Sequence, residues 1–146
     1  MPVYGQGTLL QMGDGAQTEA FTTIAEVMTI TGPSFSRDTI DTTTHDTSNG
    51  FRTFMGGLVD AGEVSFDIQF DAAATTHIDT SGLLSKLVGS SLPTSTTNFR
   101  IVYPNAKRWN FAGIVSGFEV TADMGDKLQA SVTIKISGKP TLTATT

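Results

Sequence analysis

Residues 62–71 read GEVSFDIQFD, and apolar and polar side chains alternate strictly along this stretch. Val64, Phe66, Ile68 and Phe70 fall on one side of an extended chain, while polar and acidic residues fall on the other. A period of two is the pattern of a β-strand with one buried face. The stretch therefore predicts a sheet that packs one face on an apolar core and keeps a polar face outside it.

The same alternation returns in other segments. QASVTIKISG (129–138) directs Val132, Ile134 and Ile136 to one face, and NFRIVYP (98–104) predicts a shorter strand. FTTIAEVMTITG (21–32) is expected to be one strand. KRWNFAGIVSGFEVTAD (107–123) is long enough for one bent strand or two, and its apolar set changes phase near Gly113 and Gly117. A phase change at glycine indicates a bulge or kink.

One segment, DTSGLLSKLVGSS (79–91), has helical spacing instead, with Asp79 or Thr80 as the expected N-cap and Gly89 as the end. Its apolar residues recur at intervals of three and four: Leu83, Leu84, Leu87 and Val88. The predicted fold is mainly β: an antiparallel β-sandwich or rolled barrel of about six strands, with one short flanking α-helix, in a single domain over residues 1–146.

Composition restricts the possible functions. The 146 residues carry a net charge of −5, which argues against a protein that grips nucleic acid through phosphates. There is no cysteine, so disulfides, thiolate metal sites and cysteine nucleophiles are excluded. The N-terminal residues lack the pattern of a secretory signal, and the apolar runs are too short for a membrane-spanning helix. We expect a protein without membrane partners.

Catalytic and cofactor motifs are not supported. His45, Asp46 and Ser48 are of the types found in hydrolase sites, but neighbours on an extended chain point to opposite faces. His77 and Asp79 have the spacing of a metal corner, but a third ligand is missing and helix capping explains Asp79 better. The glycine-rich stretches at 5–7 and 12–17 do not lead from a strand into a helix, so a phosphate loop is not expected. We expect no catalytic residues, metal or cofactor.

The segment 39–54, TIDTTTHDTSNGFRTF, combines strand-forming threonines with almost no apolar face. Such a segment gains little from folding alone and would gain from contact with another chain. We therefore expect a flexible interface loop at 37–57, mobile in a free monomer, and a C-terminal arm at about 138–146. The residues expected to make the contact are Asp41, Thr43, Asp46, Phe51, Phe54 and Met55.

Three pieces in this order carry a family resemblance. The first is the acidic, threonine-rich 38–62 leading directly into the strand EVSFDIQFD (63–71). The second is SGLLSKLVGSS (81–91), followed after a loop by 98–123, and the third is DKLQASVTIKISGKPTL (126–142). Together they resemble the major tail tube proteins of lambda-like siphophages, which have long, non-contractile tails. The resemblance covers residues 21–142.

The resemblance implies a structural virion protein. Members form hexameric rings that stack into a hollow tube around a tape measure protein, and the tube later conducts DNA without sequence-specific binding. The further partners would be tail terminator and distal tail proteins, and the tube would be assembled in the host cytoplasm and end in the virion tail. Strands of six copies would join in one barrel around the lumen, and the loop at 37–57 would contribute to contacts between rings.

An acidic lumen would repel the DNA backbone at short range. The expected wall residues are the polar positions of two strands, although the same positions could instead face solvent outside the tube: Glu63, Asp67, Gln69, Asp71, Gln129, Ser131, Thr133 and Lys135. Two other functions stay open. One is a tail terminator or another ring-forming tail component. The other is a β-sandwich module that binds carbohydrate or a receptor through Trp109, Tyr103 and Tyr4.

Overall fold

The computed structural model describes residues 5–13, 17–24, 26–46, 48–71, 73, 77, 82–83, 87 and 96–144, with only the backbone of Ser48. Within these residues the chain forms nine strands and one 3-10 turn, Ser48–Gly50, and His77 and Leu87 have helical conformation. The strands are β1 (Leu9–Gly13), β2 (Phe21–Thr23), β3 (Val27–Thr31), β4 (Ser36–Asp41), β5 (Phe54–Asp60), β6 (Glu63–Gln69), β7 (Thr97–Val102), β8 (Lys107–Thr121) and β9 (Gln129–Ala144).

Seven of these strands form one antiparallel sheet in the order β2-β1-β7-β8-β9-β6-β3. The sheet rolls up, so that β3 at one edge approaches β1 near the other. β4 and β5 pair with each other in a separate two-stranded sheet. The prediction of a mainly β, antiparallel fold is confirmed, and of its two forms the structure adopts the rolled sheet.

The core fills the inside of the roll. In β6 the alternation of 62–71 is obeyed, because Val64, Phe66 and Ile68 are buried while Glu63, Ser65 and Gln69 are exposed. The neighbouring strands β7 and β8 also direct apolar side chains into this core. Phe99 of β7 and Phe111 of β8 stack there with ring centroids 5.9 Å apart. Leu83 and His77 are also fully buried but lie outside the strands. The other large, fully buried side chains come from several strands: Leu10, Ile101, Val132 and Ile134. Burial of this apolar face is what stabilises the rolled sheet.

The single strand expected at 21–32 is two strands on opposite edges of the sheet. β2 pairs with β1, and β3 pairs with β6. The chain crosses between the edges at Ile24–Glu26: the Ile24 amide donates to the Leu10 carbonyl (2.8 Å), and the Glu26 carbonyl accepts from Gln69 (2.9 Å). Glu26 has φ +61°, a left-handed conformation that ends the extended run.

The two long C-terminal strands form a bent hairpin. β8 is one strand with register shifts at Asn110/Ala112 and Val115/Gly117. The second shift produces the expected phase change, because Val115 and Phe118 both turn toward the core. β9 continues to Ala144, which pairs with Lys107. The segment expected to be a free arm is thus a paired strand through residue 144, since β8 extends far enough to bind it.

β4 and β5 form a ribbon that spans most of the segment expected to be a loop at 37–57. Asp41 pairs with Phe54 at its outer end, and Ser36 pairs with Asp60 at its base. Residues that favour strands explain the pairing: Thr39 and Ile40 on β4, and Phe54 and Val59 on β5. Of the predicted helix over 79–89, only Gly82, Leu83 and Leu87 are described, so most of it lies outside the described residues. The described part of the chain contains no helix long and apolar enough to cross a membrane.

Candidate functional site

Four strands form a half of the sheet that has an open edge on each side. The order in this half is β8-β9-β6-β3, with β8 contributing its second part, from Ile114 onward. On the β7 side, pairing of β8 stops at Gly113, and no described strand pairs with β8 beyond it. On the other side, the described chain places no strand next to β3. Unpaired strand edges are templates for pairing with another chain.

The polar face of this half carries seven of the eight expected wall residues. Cross-strand pairs set them side by side: Glu63 with Lys135 and Asp67 with Ser131. The Ser131 hydroxyl donates to an Asp67 carboxylate oxygen at 2.9 Å. Gln69, Gln129 and Thr133 continue the same face. Asp71 follows the end of β6, where its carboxylate accepts a hydrogen bond from the Ala73 amide at 2.9 Å.

Glu119 belongs to this acidic face and was missed by the sequence analysis. It pairs with Ser131 from the β8 side, so Ser131 lies between Glu119 and Asp67 in a row across three strands. The register shift at Val115/Gly117 decides which face Glu119 joins. That shift was visible as a phase change, but the sequence did not give its exact position.

The ribbon exposes an unusual amount of apolar surface. The Phe51 side chain is 75% exposed and that of Leu58 is 91% exposed, and Phe54 and Met55 are more than half exposed. Along β4 every residue is exposed. A concentration of exposed large apolar side chains of this kind marks a site of contact with another molecule.

The outer end of the ribbon is held together by hydrogen bonds of threonine. The Thr42 amide donates to the Thr53 carbonyl (2.9 Å), and the Thr53 amide donates to the Thr43 hydroxyl (2.9 Å). The Asp41 carboxylate accepts from the Thr43 amide at 2.9 Å. Hydrogen bonds from the Thr43 side chain and backbone lower the pKa of Asp41 below its ordinary value, so the carboxylate is charged at neutral pH. Asp46 is exposed beyond this closure.

At its base the ribbon is fixed to the sheet. The Asp60 carboxylate accepts from the Gly62 amide at 2.8 Å and from Lys135 Nζ at 3.2 Å. These contacts, the amide first, lower the pKa of Asp60. Gly62 has φ +74°, and a Cβ there would collide with the Ser34 carbonyl oxygen, so this turn requires glycine.

The other half of the polar face carries two arginines. Arg100 and Arg108 lie on β7 and β8, and the Arg100 guanidinium carbon is 3.3 Å from the Phe21 ring centroid. Asn110 and Arg108 both donate to the Thr143 hydroxyl, at 2.7 and 3.4 Å. The two halves of this face therefore differ in charge: Glu63, Asp67 and Glu119 lie on the half with open edges, whereas Arg100 and Arg108, with Glu19 bound to Asn98 beside them, lie on the half closed by β7 and β1.

The sequence matches the profile of one protein family, described as "Phage tail tube, TTP, lambda-like", over residues 1–146. The chain belongs to the lambda-like phage tail tube family. Tail tube proteins of this family are structural components rather than enzymes, so this chain is a structural tail tube protein. Among curated protein sequences, none matches it.

Solved structures share the tail tube fold at low sequence identity. A structure described as the tail of an empty gene transfer agent particle, refined with C6 symmetry, superposes with a TM-score of 0.74 at 18% identity, covering 98% of this chain and 100% of that one. A chain from the anti-feeding prophage baseplate, 6-fold symmetrised, superposes with a TM-score of 0.73 at 10% identity, covering 99% and 97%. At these identities the likeness establishes the tail tube fold.

The alternative sites are also placed by the structure. His45 and Asp46 are exposed in the turn that ends the ribbon of this tail tube protein. His77 is fully buried, and its Nδ1 accepts from the Asp71 amide at 3.2 Å, while Asp79 lies outside the described residues. Trp109 is half-buried and packs on Phe35 with ring centroids 5.7 Å apart. Burial raises the pKa of the adjacent Tyr103, and Tyr4 lies outside the described residues.

Proposed function

We propose that six copies of this tail tube protein form a ring and that the rings stack into the tube that conducts DNA. The observation that carries the proposal is the four-stranded half of the sheet with two open edges. Strand direction alternates across it, so β3 of one copy can pair antiparallel with β8 of the next. This contact is head-to-tail, and a head-to-tail contact closes into a ring when the rotation permits.

Six copies of four strands would make a barrel of 24 strands. At a spacing of ~4.8 Å the circumference is roughly 115 Å, and the diameter between backbones is about 37 Å before strand tilt. The usual tilt of ~35–45° widens it to about 45–52 Å. A channel of this width admits a DNA duplex. The 6-fold symmetry of the gene transfer agent tail supports six as the number of copies.

The division of charge supports the acidic half as the lumen wall. Glu63, Asp67 and Glu119 lie on its polar face, and the single lysine of the wall set, Lys135, is paired with Asp60. Carboxylates repel DNA phosphates within about 8 Å at physiological salt. The arginines lie on the other half, where phosphates passing through the channel would not meet them.

The ribbon is the proposed contact between rings. Its exposed apolar side chains, with Asp41, Thr43 and Asp46 at the outer end, extend beyond the rolled sheet. Burying such side chains against another copy would stabilise a stack. The tube would enclose a tape measure protein and meet terminator and distal tail proteins at its ends. It would be assembled in the host cytoplasm and reside in the virion tail.

Electron microscopy of the concentrated protein tests this proposal. We expect hollow tubes with a 6-fold end view, and dilution should shift the protein toward monomer. A Val120→Pro variant removes an amide donor that points to the open edge of β8, and it should stay monomeric with an unchanged circular dichroism spectrum. Single rings without tubes would favour a terminator, and monomers at every concentration would favour a binding module. Either result would refute the proposal.

A further inference from the structure

A groove of about 680 Å³ lies between the base of the ribbon and the middle of β9. Its lining is mainly apolar: Phe35, Val59, Ala61, Trp109, Ile136 and Pro140. Asp60, Gly138 and Lys139 complete the rim. The volume is several times that of one aromatic side chain, so the groove has room for more than one apolar group from a partner.

One wall of the groove is an open strand edge. β6 pairs with β9 only as far as Lys135, and the Ile136 amide then donates to the Gly62 carbonyl at 3.1 Å. Beyond Ile136, no described strand lies on this side of β9. Pro140 is buried in this stretch. Proline lacks an amide hydrogen and is therefore found within sheets mainly on edge strands. The groove thus presents both an apolar surface and an unpaired strand edge to a partner.

The outer end of the ribbon is an exposed apolar segment that complements the lining of this groove. The outer end of the ribbon, residues 41–55, exposes Phe51, Phe54 and Met55. Its charged side chains are Asp41, Asp46 and Arg52, which give a net charge of −1. On the groove rim, Asp60 is already paired with Lys135, so Lys139 is the cation that remains to attract an anionic partner.

The ribbon cannot fill the groove of its own subunit. The groove lies at the base of the ribbon, beside Val59 and Asp60, while Phe51 lies beyond the outer end. Strands of six and seven residues separate the two by about 20 Å, at ~3.4 Å per residue. The occupant must therefore come from another copy.

We propose that the groove lined by Phe35, Trp109 and Pro140 receives the outer end of the ribbon from a second copy of this chain. Phe51 is the principal anchor, and Lys139 attracts the acidic residues around it. This inference rests on the proposed function, in which the ribbon joins copies, and adds the surface that the ribbon binds. Each copy then both fills a groove and has its groove filled, so the contact propagates along the assembly.

Engineered disulfides test this proposal cleanly because the chain has no cysteine. In an Arg52→Cys, Lys139→Cys double variant, assembled tubes are oxidised and run on a denaturing gel without reductant. We expect crosslinked chains in high yield, and a ladder that continues past six subunits if the ribbon joins rings. Dilute monomer should give no crosslink, because the two positions in one subunit are too far apart.

The control variant is Arg52→Cys with Met124→Cys, since Met124 is fully exposed in the turn at the opposite end of β8. It should not crosslink. Normal tubes without the Arg52–Lys139 crosslink, or equal crosslinking in the control, would overturn the groove proposal and leave the tube function standing. A ladder that stops at six would keep the groove pairing and instead refute the role between rings. If the Lys139 variant does not assemble, the same crosslink is tested with Lys139 intact in an Arg52→Cys, Leu142→Cys variant. Leu142 pairs with Trp109, which lines the groove.

Discussion

Replacing Phe51 by alanine should weaken tube assembly without weakening the fold. The Phe51 side chain is 75% exposed in the subunit, so the subunit loses little when it is removed. Full burial of a phenylalanine contributes ~1.5–3 kcal/mol, so burying the remaining three quarters in another copy contributes about 1–2 kcal/mol. An energy of that size changes an equilibrium constant by about 5–30-fold.

The measurement is the critical concentration for tube formation, obtained by sedimentation of assembled protein at a series of total concentrations. We expect Phe51→Ala to raise it by about 5–30-fold at an unchanged Tm of the monomer. Phe51→Leu keeps most of the apolar surface and should lie within a few-fold of the natural protein. An unchanged critical concentration for Phe51→Ala, or a Tm lowered by several degrees, would refute the assignment of Phe51 to the interface.

Three further results are expected. Phe66→Ala removes a buried side chain of the core and should cost about 3–5 kcal/mol in the free energy of unfolding, measured with urea; a loss below ~1 kcal/mol would show that Phe66 is not packed as described. The lowered pKa of Asp60 means that its contact with Lys135 is complete above the ordinary carboxyl pKa of ~4 and is lost as the pH falls below it. Lys135→Met should therefore raise the pKa of Asp60 in an NMR titration, and an unmoved pKa would contradict the contact. An Asp67→Lys, Glu119→Lys variant should form tubes that retain DNA at low salt and release it at high salt, whereas natural tubes retain none; equal behaviour would place these residues outside the lumen.

Local alternation predicted the strands that bury one face. Val64, Phe66 and Ile68 alternate with polar neighbours, and the structure buries these three as expected. The phase change in β8 was predicted because the inward apolar residues switch from Trp109 and Phe111 to Phe118 across the two glycines, and the register shift at Val115/Gly117 produces it. Where one face is apolar and the other polar, burial energy determines the orientation of a strand.

The rest depended on pairing between distant segments. Residues 21–32 alternate like one strand, and only the closure of the roll, which brings the edges near each other at Ile24 and Glu26, divides them in two. The ribbon has no buried face, so its pairing follows from its partner strand rather than from apolar periodicity. The groove is built from Phe35, Trp109 and Pro140, which are far apart in sequence, and no local pattern indicated that they meet.

The proposed tube requires that neighbouring copies close the open edges of β3 and β8. A helical reconstruction of purified tubes by electron cryo-microscopy, at a resolution that separates strands, tests it directly. We expect a continuous 24-stranded wall in which β3 of one subunit lies beside the second half of β8 of the next, with Asp67 and Glu119 facing the channel. A ring whose subunits meet through other surfaces, with these two edges left unpaired, would contradict the account.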